Sequence, residues 1–367
     1  MFADVQTIVI KIGSAILVDG QTHALREDWL EALAADLSAL AEKRIVLVSS
    51  GAIALGRQRL KLFDKSISLP QKQACAAAGQ SSLTRAYEDA LGRQGRVTAQ
   101  ALLTLNDTEN RRRWLNARST LDTLLGLGAI PIINENDTVA TDEIRYGDND
   151  RLAARTAQMI GADILILLSD IDGLYTADPR TDADAKHLPV VTELTEDIIA
   201  MGGAPNAAAG VGSGGMATKL AAAQIATQAG CEMIICDGRA VGALAALGKG
   251  AAHTRFKAKG NPRKARAQWI GGTLKPSGAL HVDAGAAGAL KKGSSLLPAG
   301  VTSVSGQFEK GDAVSIMAND VEIARGLVGY DLVDADRIKG LKSSEITSVL
   351  GYENGAALIH RDNLVML

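Results

Sequence analysis

Residues 7 to 14 read TIVIKIGS, and the beginning of this stretch indicates the fold of the chain. Thr7 to Lys11 is a mostly apolar run of strand length, which is typical of a strand buried on both faces of a parallel sheet. Similar runs recur at Ile45 to Ser49, Thr98 to Leu103, Ile130 to Asn134, Ile164 to Leu168 and Glu232 to Cys236. Helix-length patterns lie between them, at Arg26 to Glu42, Gln71 to Leu91, Asn149 to Ile160 and Met216 to Ala229. This alternation predicts an α/β fold with a doubly wound, mainly parallel sheet sandwiched by helices.

Composition narrows the class of protein. The chain has 367 residues, of which 47% are hydrophobic and 3% aromatic, and its net charge is −2. That charge gives no global attraction to nucleic acid or to an anionic membrane. No apolar run is long enough to span a bilayer, and no signal-peptide pattern opens the chain, so we predict a cytoplasmic protein with no membrane partner. Three cysteines, at positions 75, 231 and 236, lack metal or disulfide spacing and are expected in the core.

The alternation of predicted strands and helices ends around Leu247. From Lys249 to Lys275 there are eight Lys or Arg residues and no Asp or Glu. Beyond this stretch, short runs alternate with turn signals, including Asn319-Asp320, which predicts a small β-rich domain. We therefore expect a first domain at residues 1–250, a basic linker at 251–276 and a second domain at 277–367.

A glycine-rich stretch, GVGSGGMATK at Gly210 to Lys219, leads directly into a helical pattern. Glycines let backbone N–H groups approach an anion, and the free amides of a helix start favour one, so the stretch predicts a phosphate site. The alternative is a flexible surface loop before an ordinary helix. The spacing also matches the dinucleotide fingerprint, but Met201 to Ala209 has no strand character, which argues against a nicotinamide enzyme. No P-loop sequence occurs.

Polar residues follow the predicted strands, at the ends where ligands of such sheets bind. Lys11 closes the first strand beside Gly13, and we expect its ammonium to approach a phosphate that Lys219 contacts from the other side. Further polar groups at such positions are Ser50, Gly51, Asn134, Asp137, Ser169 and Asp170. Three polar residues, Asp148, Asn149 and Asp150, come at the start of a predicted helix. An N-cap needs only one such side chain, so the additional carboxylate and amide groups suit a cationic ligand or magnesium. No general base stands out, as expected if the acceptor is an ionised carboxylate.

Taken together, several motifs closely resemble the glutamate 5-kinases, a branch of the amino acid kinase family. They are KIGS from Lys11, VSSGAI from Val48, INEND from Ile133, GDND from Gly147, LYTADP from Leu174 and GSGGMATK from Gly212. The tail, with GSSLLP from Gly293, resembles the PUA domain found in many bacterial members. The resemblance implies ATP-dependent phosphorylation of the side-chain carboxylate of L-glutamate, the first step of proline synthesis.

The same resemblance implies roles for individual residues. Lys11 and Lys219 would stabilise the transferring phosphoryl group, while Asp148 and Asp150 would organise the lysines and the magnesium, with Asp150 as the metal ligand. The nucleotide would contact Lys11, Gly13, Ser169, Asp170, Ser213, Gly214, Gly215, Met216, Ala217, Thr218 and Lys219. Glutamate would bind at Ser50, Gly51, Asn134, Asp137 and Asn149. Homo-oligomers, and feedback inhibition by proline, are also implied.

Two alternatives stay open at this point. One is another amino acid kinase with a different acceptor, because the glycine loop and the first-strand lysine are shared with several related kinases. The other is an RNA-binding protein that acts through the basic linker and the PUA-like tail. This tail shows no obvious aromatic cluster on which bases would stack.

Overall fold

The computed structural model describes residues 2–62, 66–139, 148–203, 215–262, 265, 275–353 and 355–367, without the side chain of Asp148. The chain divides into two compact units. One comprises Met1–Asn110 with Asn116–Pro262, and the other comprises Arg111–Leu115 with Arg263–Leu367.

The first unit is built around an eight-stranded sheet. Its strands are β1 (Thr7–Ile12), β2 (Arg44–Ser49), β3 (Thr98–Leu103), β4 (Ile130–Glu135), β5 (Ile164–Ser169), β8 (Val190–Val191), β9 (Glu232–Asp237) and β10 (His253–Phe256), and a separate hairpin contains β6 (Leu174–Tyr175) and β7 (His187–Leu188). The strand order is β3-β4-β2-β1-β5-β9-β10-β8. Neighbours run parallel except β9 and β10. The doubly wound, mainly parallel sheet is thus confirmed, and each of the six predicted strands lies within one residue of its expected bounds.

Ten helices of the described chain accompany this sheet. They are α1 (Ser14–Leu17), α2 (Glu27–Ser38), α3 (Ala52–Arg59), α4 (Leu69–Arg93), α5 (Leu105–Glu109), α6 (Arg111–Gly126), α7 (Asp148–Ile160), α8 (Glu196–Ala200), α9 (Met216–Gln228) and α10 (Ala243–Gly248). α2 ends four residues before the predicted boundary at Glu42. α4 begins two residues earlier than predicted, because the backbone N–H of Ser68 donates to the side chain of Gln71 and Pro70 occupies the first turn.

The strand β1 lies in the middle of the sheet and is buried over its whole length. Ile8, Ile10 and Ile12 pack into one core with Trp29 and Leu33 of α2. Because side chains alternate across a sheet, Lys11 lies on the face opposite to these isoleucines. A charged side chain is thereby held in the interior at the end of a central strand.

The predicted linker contains a strand of this sheet. β10 pairs antiparallel with β9 and buries Thr254 and Phe256 completely, so it belongs to the sheet rather than to a linker. The nearby basic side chains have acidic partners from distant parts of the chain. Glu232 pairs with Arg255 and Lys257, and Glu193 pairs with Lys259. This part of the basic run is therefore not an unbalanced positive surface.

In its described residues the second unit contains a five-stranded sheet and three short α-helices. The strands are β11 (Gly278–Val282), β12 (Val301–Gly306), β13 (Ala313–Ala318), β14 (Val321–Leu327) and β15 (Leu364–Met366), in the order β12-β11-β13-β14-β15, and the helices are α11 (Ala284–Lys291), α12 (Leu332–Ile338) and α13 (Ile346–Leu350). Asn319 and Asp320 form the turn between β13 and β14 with φ of 50° and 62°. Asn and Asp tolerate such values, which explains the predicted turn. The β-rich tail is confirmed.

Candidate active site

Two lysines from distant parts of the sequence meet at one carboxylate. Nζ of Lys11, in β1, lies 2.7 Å from Oδ1 of Asp150, and Nζ of Lys219, in the first turn of α9, lies 3.2 Å from Oδ2. Asp150 is fully buried in the first turn of α7, and the lysines are 7% and 5% exposed. The structure therefore brings the two cations to one point beyond the carboxyl end of the central strand.

The electrostatics of this cluster follow from one carboxylate shared by two ammonium groups. Burial by itself would raise the pKa of Asp150, but the charges of Lys11 and Lys219 outweigh it and lower the pKa to about 2. Burial, together with repulsion from Lys219, lowers the pKa of Lys11, while Asp150 opposes that shift. The carboxylate is thus ionised at any physiological pH and holds both cations in place.

The beginning of α9 adds a further contact to Asp150. The Thr218 hydroxyl lies 3.1 Å from Oδ2 of Asp150 and 2.8 Å from the carbonyl oxygen of Gly215. Gly215 caps the helix in an extended conformation, and Met216 and Ala217 follow it in the first turn, half-buried. Thr218 and Lys219 thus bring the start of α9 to the same carboxylate as β1. Ser213, Gly214 and the side chain of Asp148 lie outside the described residues.

The residues expected at the acceptor form a second cluster. Nδ2 of Asn149 lies 2.7 Å from the Ser50 hydroxyl and 3.0 Å from Oδ1 of Asn134. Gly51 joins β2 to α3 with φ of 112°, a value that requires glycine at this turn. Asn149 and Asp150 are consecutive in α7, so the acceptor cluster and the lysine cluster are joined through one helix.

Asp137, the remaining residue predicted to bind the acceptor, is 8% exposed. It lines a cavity of 270 Å³ together with Gln80, Gln100 and Glu135. Most of the side chains that line this cavity are polar, which suits a small charged ligand. Gln80 was not found by sequence reasoning, because a polar residue inside a long helical pattern is indistinguishable from a surface position.

Two of the residues expected at the nucleotide, Ser169 and Asp170, lie at the end of β5, on the other side of β1. Ser169, at the end of β5, is 6% exposed, and its hydroxyl lies 3.1 Å from Oδ1 of Asp170. Gly13 follows β1 directly, and a Cβ there would lie 3.7 Å from Nζ of Lys11. In the order β4-β2-β1-β5, Lys11 is therefore placed between the expected acceptor residues and Ser169.

The expected magnesium ligand does not fit direct metal binding. Both oxygens of Asp150 already face ammonium groups, and a divalent cation at either oxygen would be repelled by the lysines. Within the described ranges, no group of three or more His, Cys, Asp or Glu side chains could hold a metal ion. In this structure the contacts of the Asp150 carboxylate are therefore with Lys11, Lys219 and Thr218.

The described helices include none that is long and apolar enough to cross a membrane.

The sequence matches the profiles of two families. The amino acid kinase family matches residues 6–237, and the PUA domain matches residues 278–350. Glutamate 5-kinase of Caulobacter vibrioides is 56% identical over 368 residues, which cover 100% of this chain and 97% of that protein. Glutamate 5-kinase 1 of Mesorhizobium japonicum is 57% identical, covering 98% of this chain and 95% of that protein.

Among solved structures, UMP kinase of Bacillus anthracis is similar with a TM-score of 0.49 and 14% identity, over 70% of this chain and 97% of that one. The match to the first family profile covers more than half of the chain, and the curated relatives match it over nearly its whole length. The chain therefore belongs to the amino acid kinase family and, within it, to the glutamate 5-kinases that carry a C-terminal PUA domain.

Proposed function

We propose that the cluster around Asp150 transfers the γ-phosphoryl group of ATP to the side-chain carboxylate of L-glutamate, giving L-glutamyl 5-phosphate and ADP. This reaction is the first step of proline biosynthesis. The observation that carries the proposal is the meeting of Lys11 and Lys219 at one buried carboxylate, between two groups of polar strand-end residues. The relatives' name agrees with this activity.

The chemistry needs positioning and charge neutralisation more than proton transfer. A carboxylate oxygen of glutamate bonds to the γ-phosphorus, and the bond from that phosphorus to the β–γ bridging oxygen breaks, leaving ADP. The acceptor is already ionised at neutral pH, so no general base is required. Lys11 and Lys219 neutralise charge on the transferring group, where one contact at about 4 Å in a medium of dielectric about 20 amounts to roughly 4 kcal/mol before desolvation.

ATP would bind on the β5 side of Lys11. Gly13, Ser169 and Asp170 supply one part of this site, and the segment Gly215 to Lys219 supplies the other, because its helix start and lysine favour phosphate. Ser213 and Gly214 precede this segment directly in the sequence and complete the proposed nucleotide loop.

Glutamate would bind on the β2 and β4 side. Ser50, Asn134 and Asn149 form one hydrogen-bonded group there, Gly51 follows Ser50 directly, and Asp137 lines the cavity to which Gln80 also contributes. A carboxylate such as that of Asp137 suits the α-ammonium group of an amino acid, while hydroxyl and amide groups suit its carboxylates.

Magnesium would enter with ATP. Because Asp150 faces two ammonium groups, we assign the metal to phosphate oxygens and water, the ligands that magnesium usually keeps in kinase sites. Asp150 is assigned to orienting the lysines, and the same role is proposed for Asp148.

Further properties are implied by the resemblance. We propose proline as an inhibitor that competes for the acceptor region, because it shares the α-carboxylate and α-amino groups of glutamate but has no side-chain carboxylate to phosphorylate. A homo-oligomer is likewise proposed, as is a cytoplasmic location, where ATP and glutamate are both supplied. The domain bounds 1–250 and 277–367 stay predictions.

An acceptor panel tests the proposed function. The protein is incubated with ATP, magnesium and hydroxylamine together with glutamate, aspartate, N-acetylglutamate or glutamine, and the hydroxamate formed from the acyl phosphate is measured. We expect product with glutamate alone. Glutamine is the matched control because only its side-chain carboxylate is replaced. If product forms with aspartate or N-acetylglutamate instead, the chain is a kinase of the same family with a different acceptor.

A further inference from the structure

The side chain of Gln80, in α4, contacts the acceptor cluster, which comprises Ser50, Asn134 and Asn149. Nδ2 of Asn134 donates to Oε1 of Gln80 at 2.8 Å, while Oδ1 of Asn134 accepts from Nδ2 of Asn149 at 3.0 Å. Asn149 in turn donates to the Ser50 hydroxyl. Three side-chain amides and a hydroxyl thus form a continuous chain from α4 to the end of β2.

Gln80 and the backbone N–H of Glu135 together set the direction of this chain of hydrogen bonds. With an acceptor oxygen at Gln80, Asn134 must point its NH₂ group toward α4 and its oxygen toward Asn149. The backbone N–H of Glu135 also donates to that oxygen, at 2.9 Å, which favours the same orientation. Asn149 then directs its own NH₂ toward Asn134 and Ser50. Its Oδ1 is buried and has no hydrogen-bond partner in the part of the chain that the structure describes, so it remains an acceptor for a substrate N–H group.

Gln80 is itself held firmly. Its Nε2 lies 3.3 Å from the Thr84 hydroxyl, which also contacts Oε1 of Gln100 in β3. The preceding residue, Gly79, packs so tightly on α3 that a Cβ would lie 1.8 Å from the carbonyl oxygen of Ala52. The position of the Gln80 side chain is thereby fixed relative to both α3 and β3.

We propose that Gln80 is a positioning residue for the amino-acid acceptor, which it serves by fixing the orientation of the Asn134 and Asn149 amides. The inference rests on the proposed glutamate kinase activity. The α-ammonium group is the only N–H donor of glutamate. Oδ1 of Asn149 is the acceptor that the chain of amides leaves available for this group. Removing the Gln80 oxygen takes away one of the two contacts that orient the Asn134 amide, the other being the backbone N–H of Glu135, and so weakens the orientation of Asn149 as well.

The test is Gln80→Met, which keeps the length of the side chain but removes its hydrogen bonds. We expect the KM for glutamate to rise about tenfold, which corresponds to about 1.4 kcal/mol, with the KM for ATP within twofold of the wild type. Gln94→Met is the matched control, because Gln94 is exposed just beyond the end of the same helix. We expect it to leave both KM values within twofold. If Gln80→Met does not fold, as judged by its thermal unfolding, Gln80→Ala is measured instead.

A double-mutant cycle separates positioning from direct contact. If Gln80 acts through Asn134, then Gln80→Met added to Asn134→Ala should change the KM for glutamate less than twofold. Equal effects of Gln80→Met in both backgrounds would overturn the inference, and so would an unchanged glutamate KM in the single variant or a parallel rise in the ATP KM. These outcomes leave the function standing, whereas a wild-type protein inactive on glutamate would overturn both proposals.

Discussion

Nζ of Lys11 lies 2.7 Å from Oδ1 of Asp150, and this pair connects the central strand to the first turn of α7. The carboxylate is fully buried, and Lys219 approaches its other oxygen. A neutral residue at position 150 would leave two buried ammonium groups without their shared counter-charge. We therefore expect a substitution of this carboxylate to change both stability and activity.

Asp150→Asn is expected to lower kcat at least about a hundredfold, because the lysines lose the group that orients them. The free energy of unfolding should fall by roughly 3 kcal/mol, since one partner of a buried ion pair is removed. Hydroxamate formation and urea unfolding measure the two effects. The control is Asp89→Asn, which breaks an exposed ion pair with Arg85 and should cost less than about 1 kcal/mol. Equal losses in the two variants would contradict the assignment.

Acid should remove the contribution of Asp150 selectively. Its pKa is about 2 in the folded protein and 3.8 ordinarily, so its ionisation stabilises the fold above about pH 4, by roughly 2 kcal/mol. That contribution is lost as the pH falls from about 4 to about 2. The difference in unfolding free energy between the wild type and Asp150→Asn, measured in urea at pH 5, 3.5 and 2.5, should shrink accordingly. A difference that stays constant over this range would show that Asp150 does not titrate in this way.

Lys219→Ala should lower kcat by about a hundredfold or more, as expected when one preorganised contact to the transferring group is lost. The KM values should change less, if the contact strengthens in the transition state. Lys249→Ala serves as the control, because that lysine is exposed after α10 and should leave kcat within twofold. Near-normal turnover of Lys219→Ala would remove Lys219 from the proposed mechanism.

The sequence predicts the sheet and the position of Lys11 for the same reason. Strands buried on both faces leave long apolar runs, and the ends of parallel strands lie at one edge, so Lys11 and the residues that follow β2, β4 and β5 had to be neighbours. The contact of Lys219 with Asp150 depends on where α9 packs on the sheet. The glycine-rich stretch and the helix start indicated a phosphate site, but they did not fix that packing.

Other features escaped sequence reasoning because they depend on tertiary contacts. β10 was missed since Arg255 and the lysines that follow this strand resemble a linker until Glu232 and Glu193 are seen to pair with them. Gln80 was missed since its partner, Asn134, is 54 residues away. A hydrogen bond between side chains of distant elements has no periodic signature, unlike the burial of a strand or a helix face.

The crossing of α3 and α4 gives the last prediction. A Cβ at Gly79 would lie 1.8 Å from the carbonyl oxygen of Ala52 and 2.5 Å from the backbone N of Gly56, so Gly79→Ala must push the two helices apart. We expect a loss of about 3 kcal/mol of unfolding free energy, measured in urea, because backbone atoms have no alternative rotamer.

Gly92 lies in the same helix and provides the matched control. A Cβ there would meet nothing within 4 Å, so Gly92→Ala should stabilise the protein by about 0.5 kcal/mol through the better helix propensity of alanine. The two substitutions are chemically identical and should have opposite signs. Because Gly79 precedes Gln80, Gly79→Ala should also raise the KM for glutamate, as the displaced helix moves the Gln80 oxygen away from Asn134. A stable Gly79→Ala variant with an unchanged KM would show that α4 tolerates displacement at this crossing.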